Sequence, residues 1–191
     1  MLINIVATIA GGVGTVLFMF YRLQYKIDSE TYGLLISVSG LGSFFSQMIL
    51  VPFLSTGLGW RDTTIIIIAI TANSIAFLFE ALMTQVWFLF VSWGFLQMLW
   101  GCMFNCALSA ISKLVQPTEI GKFVSLVSFA STLIGLAAAP SYNLLYKATL
   151  ATSPATAIYV ALVFFAVAFS LAIYTHRKYR GDQLVNNDQT I

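Results

Sequence analysis

Charge is what this sequence has least of: only 8% of its 191 residues are Asp, Glu, Lys or Arg, and the formal net charge is +2. A soluble domain carries about a quarter charged residues. So thin a scatter leaves no basic surface able to hold a nucleic acid. Histidine is confined to His176 in the polar C-terminal stretch, which removes a His-based metal site and a Ser/His/Asp set. The two cysteines, Cys102 and Cys106, lie four apart in an apolar run. That spacing puts them on one helix face as small packing residues and excludes a disulfide-stapled secreted scaffold. No Asn-x-Ser/Thr sequon, glycine-rich phosphate loop or second acid at depth is present. The chain is therefore expected to be no enzyme and to need no cofactor or metal.

Apolar residues are what it has instead: 59% of the chain is hydrophobic and 15% aromatic, with mean hydropathy +0.90. A bilayer with ~30 Å of hydrocarbon takes about 20 apolar residues per crossing. Six runs of suitable length are present, at Leu2 to Phe20, Gly33 to Leu54, Thr63 to Met83, Trp87 to Ser112, Phe123 to Leu145 and Ala155 to Tyr174. A lone strand in lipid would leave its backbone groups unpaired, so even the β-branched Ile65 to Ile68 is expected to be helical. The predicted fold is all-α, an integral membrane six-helix bundle over residues 1–175, with a polar tail at 176–191. The first run lacks a basic flank and a small-residue cleavage site, so it reads as a span and not as a signal peptide. Arg61, Lys113, Lys122, Arg177, Lys178 and Arg180 fall on the side of the termini, against Arg22, Lys26 and Lys147 on the other. That bias predicts cytosolic termini.

Within this frame a few residues carry chemistry. Trp93, Gln97, Gly101, Asn105 and Ser109 step by four along the fourth run and make one ridge, drifting ~40° per step. Its amides would lose hydrogen bonds against lipid, so the ridge is expected to face a protein interior or a water-filled cavity. Beside it, Trp100 and Phe104 supply aromatic surface suited to a flat, partly polar solute. The alternative for the same amides is plain interhelical hydrogen bonding. Glu80 is the carboxylate placed within a span, near the outer end of the third run, and is a proton-coupling candidate; a hydrated position at the interface is the alternative. Pro140 interrupts backbone donation inside the fifth run and predicts a kink beside Tyr142 and Asn143. Ser39 with Ser43, Gly42 with Ser46, and the glycines at 11, 12 and 14 offer close helix contact, or sliding.

Two stretches bear a family likeness. Ser112-Lys113-Leu114-Val115, with Glu119-Ile120-Gly121 downstream, and Asn143-Leu144-Leu145-Tyr146-Lys147-Ala148-Thr149 resemble the loop after the tenth helix and the end of the eleventh in the proton-coupled folate transporter and thymic stromal cotransporter family of the major facilitator superfamily. The resemblance implies that the six spans correspond to helices seven to twelve, the carboxy-terminal half of such a carrier. It implies a secondary transporter of a small organic solute, proton-coupled and folate-like, in the plasma or an endolysosomal membrane, partnered by membrane lipid and by a missing amino-terminal six-helix half. Trp93 or Trp100 would then stack on the solute while Gln97 and Asn105 hydrogen-bond to it. The alternative is a non-transporting short isoform or membrane interaction protein that pairs with a full-length carrier.

Overall fold

The computed structural model describes residues 2–96, 99–113, 115–116 and 118–188, the side chains of 95, 96 and 179–188 excepted. Every regular element among these residues is a helix, with no strand among them. Helices α1 (Leu2–Gly11) and α2 (Gly14–Gln24) form the first span, broken by a turn in which the Gly12 N–H is shared between the carbonyls of Thr8 and Ile9. Lys26 takes a left-handed backbone conformation (φ 55°) in the link that follows. The Asp28 carboxylate then accepts from the Thr31 N–H at 2.9 Å and caps α3 (Ser29–Phe45). This bond to a free first-turn N–H holds the Asp28 carboxyl below its usual range.

The second span continues past α3 through two π-helical segments, Ser46–Leu50 and Phe53–Gly57, on either side of Pro52. Gly59, at φ 64°, provides the left-handed residue of the next turn. α4 (Asp62–Leu82) is the third span, α7 (Ile120–Thr149) the fifth, and α8 begins the sixth at Thr156 and extends to Asp188. Five helical stretches among the described residues are long and apolar enough to cross a membrane, as in a multi-pass membrane protein.

The fourth span corrects the expectation of six uninterrupted helices. Trp87 to Ser112 is not one helix: α5 (Val86–Val91) passes into a π-helical stretch, Ser92–Leu96, and the chain resumes as α6 (Trp100–Ser112). It still covers the full length of its neighbour. Ser92 lies against Glu80 near the end of α4, and Ser109 and Lys113 lie against Asp62 at its start. The second and fifth spans begin before their expected limits, α3 by four residues and α7 by three. Hydropathy registers only the stretch that needs hydrocarbon, whereas a capped helix continues into its polar ends.

α4 is the centre of the bundle: half of its apolar window is buried, against 11% for the second and fifth spans. It packs along α8 on one side and along the interrupted fourth span on the other. α1 packs against α8 and α7. Ala7 and Ala10 on α1, with Ala161, Ala168 and Ala172 on α8, are buried in the core, and their small side chains let backbones approach closely. Gly12 serves the same purpose toward α7: a Cβ there would stand 2.8 Å from Ala138 Cβ and 2.9 Å from Tyr142 Cδ2. The small residues of α3 behave otherwise, with nothing within 4 Å of a Cβ built on Gly40. Only Ser46 is buried, at 2.8 Å from the Cys102 thiol. Both cysteines are free and buried.

Candidate functional site

Glu80 organises the end of the bundle where α4 stops. It is 1% exposed, so the hydrated interfacial position is overturned. Its Oε2 accepts from the Tyr21 hydroxyl at 2.5 Å and its Oε1 from Ser92 Oγ at 2.6 Å. The Tyr21 oxygen in turn accepts from the Trp93 indole N–H at 3.0 Å. One carboxylate thus joins the first, third and fourth spans. Its backbone is used as well: Glu80 O is one of the carbonyls left without a helical partner in the last turn of α4, and the Tyr25 hydroxyl donates to it at 2.8 Å. Tyr21 and Tyr25, one turn apart on α2, both face this corner. Tyr32 closes it, with its ring centroid 6.2 Å from that of Trp93.

A second polar group lies at about half the depth of the bundle and faces outward. Asn105 Nδ2 donates to Gln47 Oε1 at 2.6 Å, and both residues are exposed. Counted along α6, Asn105 is eight residues from Lys113, or ~12 Å, near the middle of a ~30 Å hydrocarbon layer. The adjoining surface is concave. Thr8, Gly11 and Thr15 of the first span, Trp100 and Phe104 of α6 and Gly135 of α7 line a hollow of about 320 Å³. Behind it lies a smaller cavity of about 160 Å³, with Gly11 and Trp100 in the walls of both. The inner cavity is completed by Gly14, Leu17, Asn73, Phe77 and Trp93. Trp100 is therefore the partition between them, its Cζ2 3.0 Å from where a Cβ on Gly11 would stand.

No known protein family and no curated protein matches this chain.

The expected ridge separates when placed in the structure. Trp93 is buried and bonded to Tyr21, Trp100 divides the two cavities, and Asn105 faces outward. Gln97 lies outside the described residues. Three steps of ~40° already carry Asn105 about 120° round from Trp93 on a regular helix, and Trp93 itself stands in the π-helical stretch. Pro140 sits inside an unbroken α7, where Ser141 Oγ and Asn143 Nδ2 donate back to the carbonyls of Ala137 and Ala139. Those side chains serve their own helix and contribute nothing to the hollow. Tyr21, Tyr25, Ser92 and Gln47 were not singled out from the sequence. Two signals would have reached them: the Tyr21/Tyr25 spacing of one turn, and Gln47 as the sole side-chain amide in the second run.

The opposite end of the bundle carries an ionic contact. Asp62, in the first turn of α4, accepts from Ser109 Oγ at 2.9 Å and pairs with Lys113 Nζ at 2.6 Å. Thr63 Oγ1 is bonded to His176 Nδ1 at 2.9 Å. α4, α6 and α8 are tied together at this end.

Proposed function

We propose that this protein is a six-span half of a secondary transporter of the major facilitator type, moving a small organic solute across a membrane. The observation that carries the reading is the Gln47–Asn105 pair, two side-chain amides that face outward at mid-depth. Amides facing hydrocarbon lose hydrogen bonds that water or protein would supply. Such a pair belongs on the wall of an aqueous cavity or against a second protein surface, and a half-transporter offers both.

Support comes also from the pattern of neighbours. Exchanging spans one with four, two with five and three with six converts the packing of the first span on the sixth and fifth into that of the fourth on the third and second, and both sets occur. The contact of α4 with α8 maps onto itself. Three-span units related in this way point in opposite directions through a membrane, as in the inverted repeats nested in each major facilitator half. On this reading the hollow between the first, fourth and fifth spans is one wall of the solute path, and both termini are cytosolic. Glu80 is the coupling group: a proton added to its carboxylate takes an acceptor from Tyr21 or Ser92, and so changes how the first and fourth spans are held.

The tests are direct. In the complete carrier, Gln97→Ala with Asn105→Ala at normal surface expression should abolish saturable solute binding; undiminished binding defeats the site assignment. Glu80→Gln should flatten the pH dependence of uptake, and an unchanged pH series removes proton coupling. The chain alone in liposomes should show no saturable uptake. The sparse burial of α3 and α7 favours a second reading, a non-transporting chain that pairs with a larger carrier. Co-purification with that carrier, together with solute binding unaffected by the Gln97 and Asn105 substitutions, would select it.

A further inference from the structure

The inner cavity has a chemistry of its own. Asn73 is 1% exposed, and its Nδ2 donates to the Ala69 carbonyl at 2.8 Å. That bond fixes the orientation of the amide, because a carbonyl can only accept, and it leaves Oδ1 as the free end of a residue that lines the cavity. Among the described residues no donor reaches Oδ1. The other walls are aromatic or aliphatic: Trp93, Trp100, Phe77 and Leu17. The Trp93 N–H is already committed to Tyr21.

A water molecule is held poorly in such a place, since it needs two to four polar partners. A neutral hydrocarbon would leave the buried acceptor unpaired. A group that combines one N–H donor, positive charge and an alkyl surface satisfies every wall at once, because ring faces attract cations. A carboxyl group lies further along the same helix as Asn73. Glu80 is seven residues from Asn73 on α4, about 10 Å along the helix, and is linked to Trp93 through Tyr21. Both its oxygens lie within hydrogen-bond distance of hydroxyl groups. The volume of about 160 Å³ is below that of drug-sized sites, which span ~300–1,000 Å³, so it takes one functional group and leaves the rest of the molecule to the outer hollow.

We propose that this cavity binds the ammonium group of a small organic amine, with its N–H donating to Asn73 Oδ1 and its carbon atoms lying against Trp93, Trp100 and Phe77. As the inner end of a solute path this assignment rests on the transporter reading, whereas as a binding site it stands by itself.

The test uses the purified chain in nanodiscs and three probes of similar size: trimethylammonium, tetramethylammonium and tert-butanol. Ligand-observed NMR titration should show trimethylammonium binding at least about tenfold more tightly than the neutral alcohol. Tetramethylammonium, which has charge but no N–H, should bind more weakly than trimethylammonium. Asn73→Leu should erase the preference for trimethylammonium over tetramethylammonium while changing tetramethylammonium affinity less than about twofold. Equal binding of all three probes, binding of none, or an undiminished preference in Asn73→Leu overturns the assignment; the comparison of probes on the unaltered chain stands even if the variant fails to fold. In the complete carrier trimethylammonium should compete with solute uptake. Binding without uptake by any assembly removes the transporter reading alone, and uptake with no ammonium binding removes this inference alone.

Discussion

The hydroxyl of Tyr21 satisfies two buried groups at once, an oxygen of Glu80 and the N–H of Trp93. Tyr21→Phe should therefore lower stability in detergent by about 1–3 kcal/mol, the cost of leaving a buried polar group unpaired. Tyr25→Phe, which strips one helix-end carbonyl of its donor, should cost nearer the ~0.6 kcal/mol typical of hydrogen bonds within membranes. Thermal unfolding followed by circular dichroism compares the two, and equal losses would argue against the Tyr21 network. At Asp28 the folded-state carboxyl is held below its usual range by the Thr31 N–H. Its stabilisation of α3 is complete above the ordinary carboxylate range and is lost as pH falls through the depressed value. Amide protection factors in the first turn of α3, corrected for the intrinsic pH dependence of exchange, should fall on acidification, and Asp28→Asn, which caps without titrating, should remove that dependence. That Glu80 is an acid among apolar residues was plain in the sequence. Its depth was not, because position along a helix does not say which neighbour covers it.

At the scale of the element, the interrupted fourth span is the principal departure from what hydropathy conveys. An uncharged run of 26 residues, Trp87 to Ser112, reads as one helix, since a π-helical stretch has no composition of its own. What marks it is tertiary: Ser92, first residue of that stretch, bonds to Glu80. The lower half of the span is pinned by Asp62. Lys113→Met should destabilise the chain, and adding Asp62→Asn should recover part of the loss, with a coupling near the low end of ~0.5–3 kcal/mol, because Lys113 is 65% exposed and water shields the pair. A double-mutant cycle showing no coupling would mean the contact is ornamental. Close packing predicts a sharper effect at the first span. Gly12→Ala drives a Cβ into Ala138 and Tyr142, so α1 and α7 must part, and overpacking of this kind costs about 1–3 kcal/mol. Gly14→Ala meets nothing within 4 Å and serves as the control.

For the whole molecule, an even number of crossings depends on the fourth span traversing despite its break. Contacts with both ends of α4 lay it along the whole of that helix; if it crosses with α4, reporters placed at the N-terminus and at the C-terminus should become accessible from the same side of sealed vesicles. Opposite sides would mean that the fourth span re-enters. The all-helical fold and most of the turns were legible in the sequence, because hydrocarbon thickness and polar loops dictate them. The two cavities were not, since they arise where Gly11, Asn73 and Trp100 converge from three separate spans.

One consequence concerns how the sequence can drift over evolutionary time. α4 is buried over half its apolar window while the second and fifth spans are buried over 11%, so selection acts on them through different properties. Substitutions along α4 are constrained in volume, residue by residue. Along most of α3 and α7 only polarity is held, and one aliphatic side chain can replace another freely unless a partner protein lies against them. A census of tolerated substitutions would thus reveal, as an unexpected strictness on the outer faces of α3 and α7, where a partner sits.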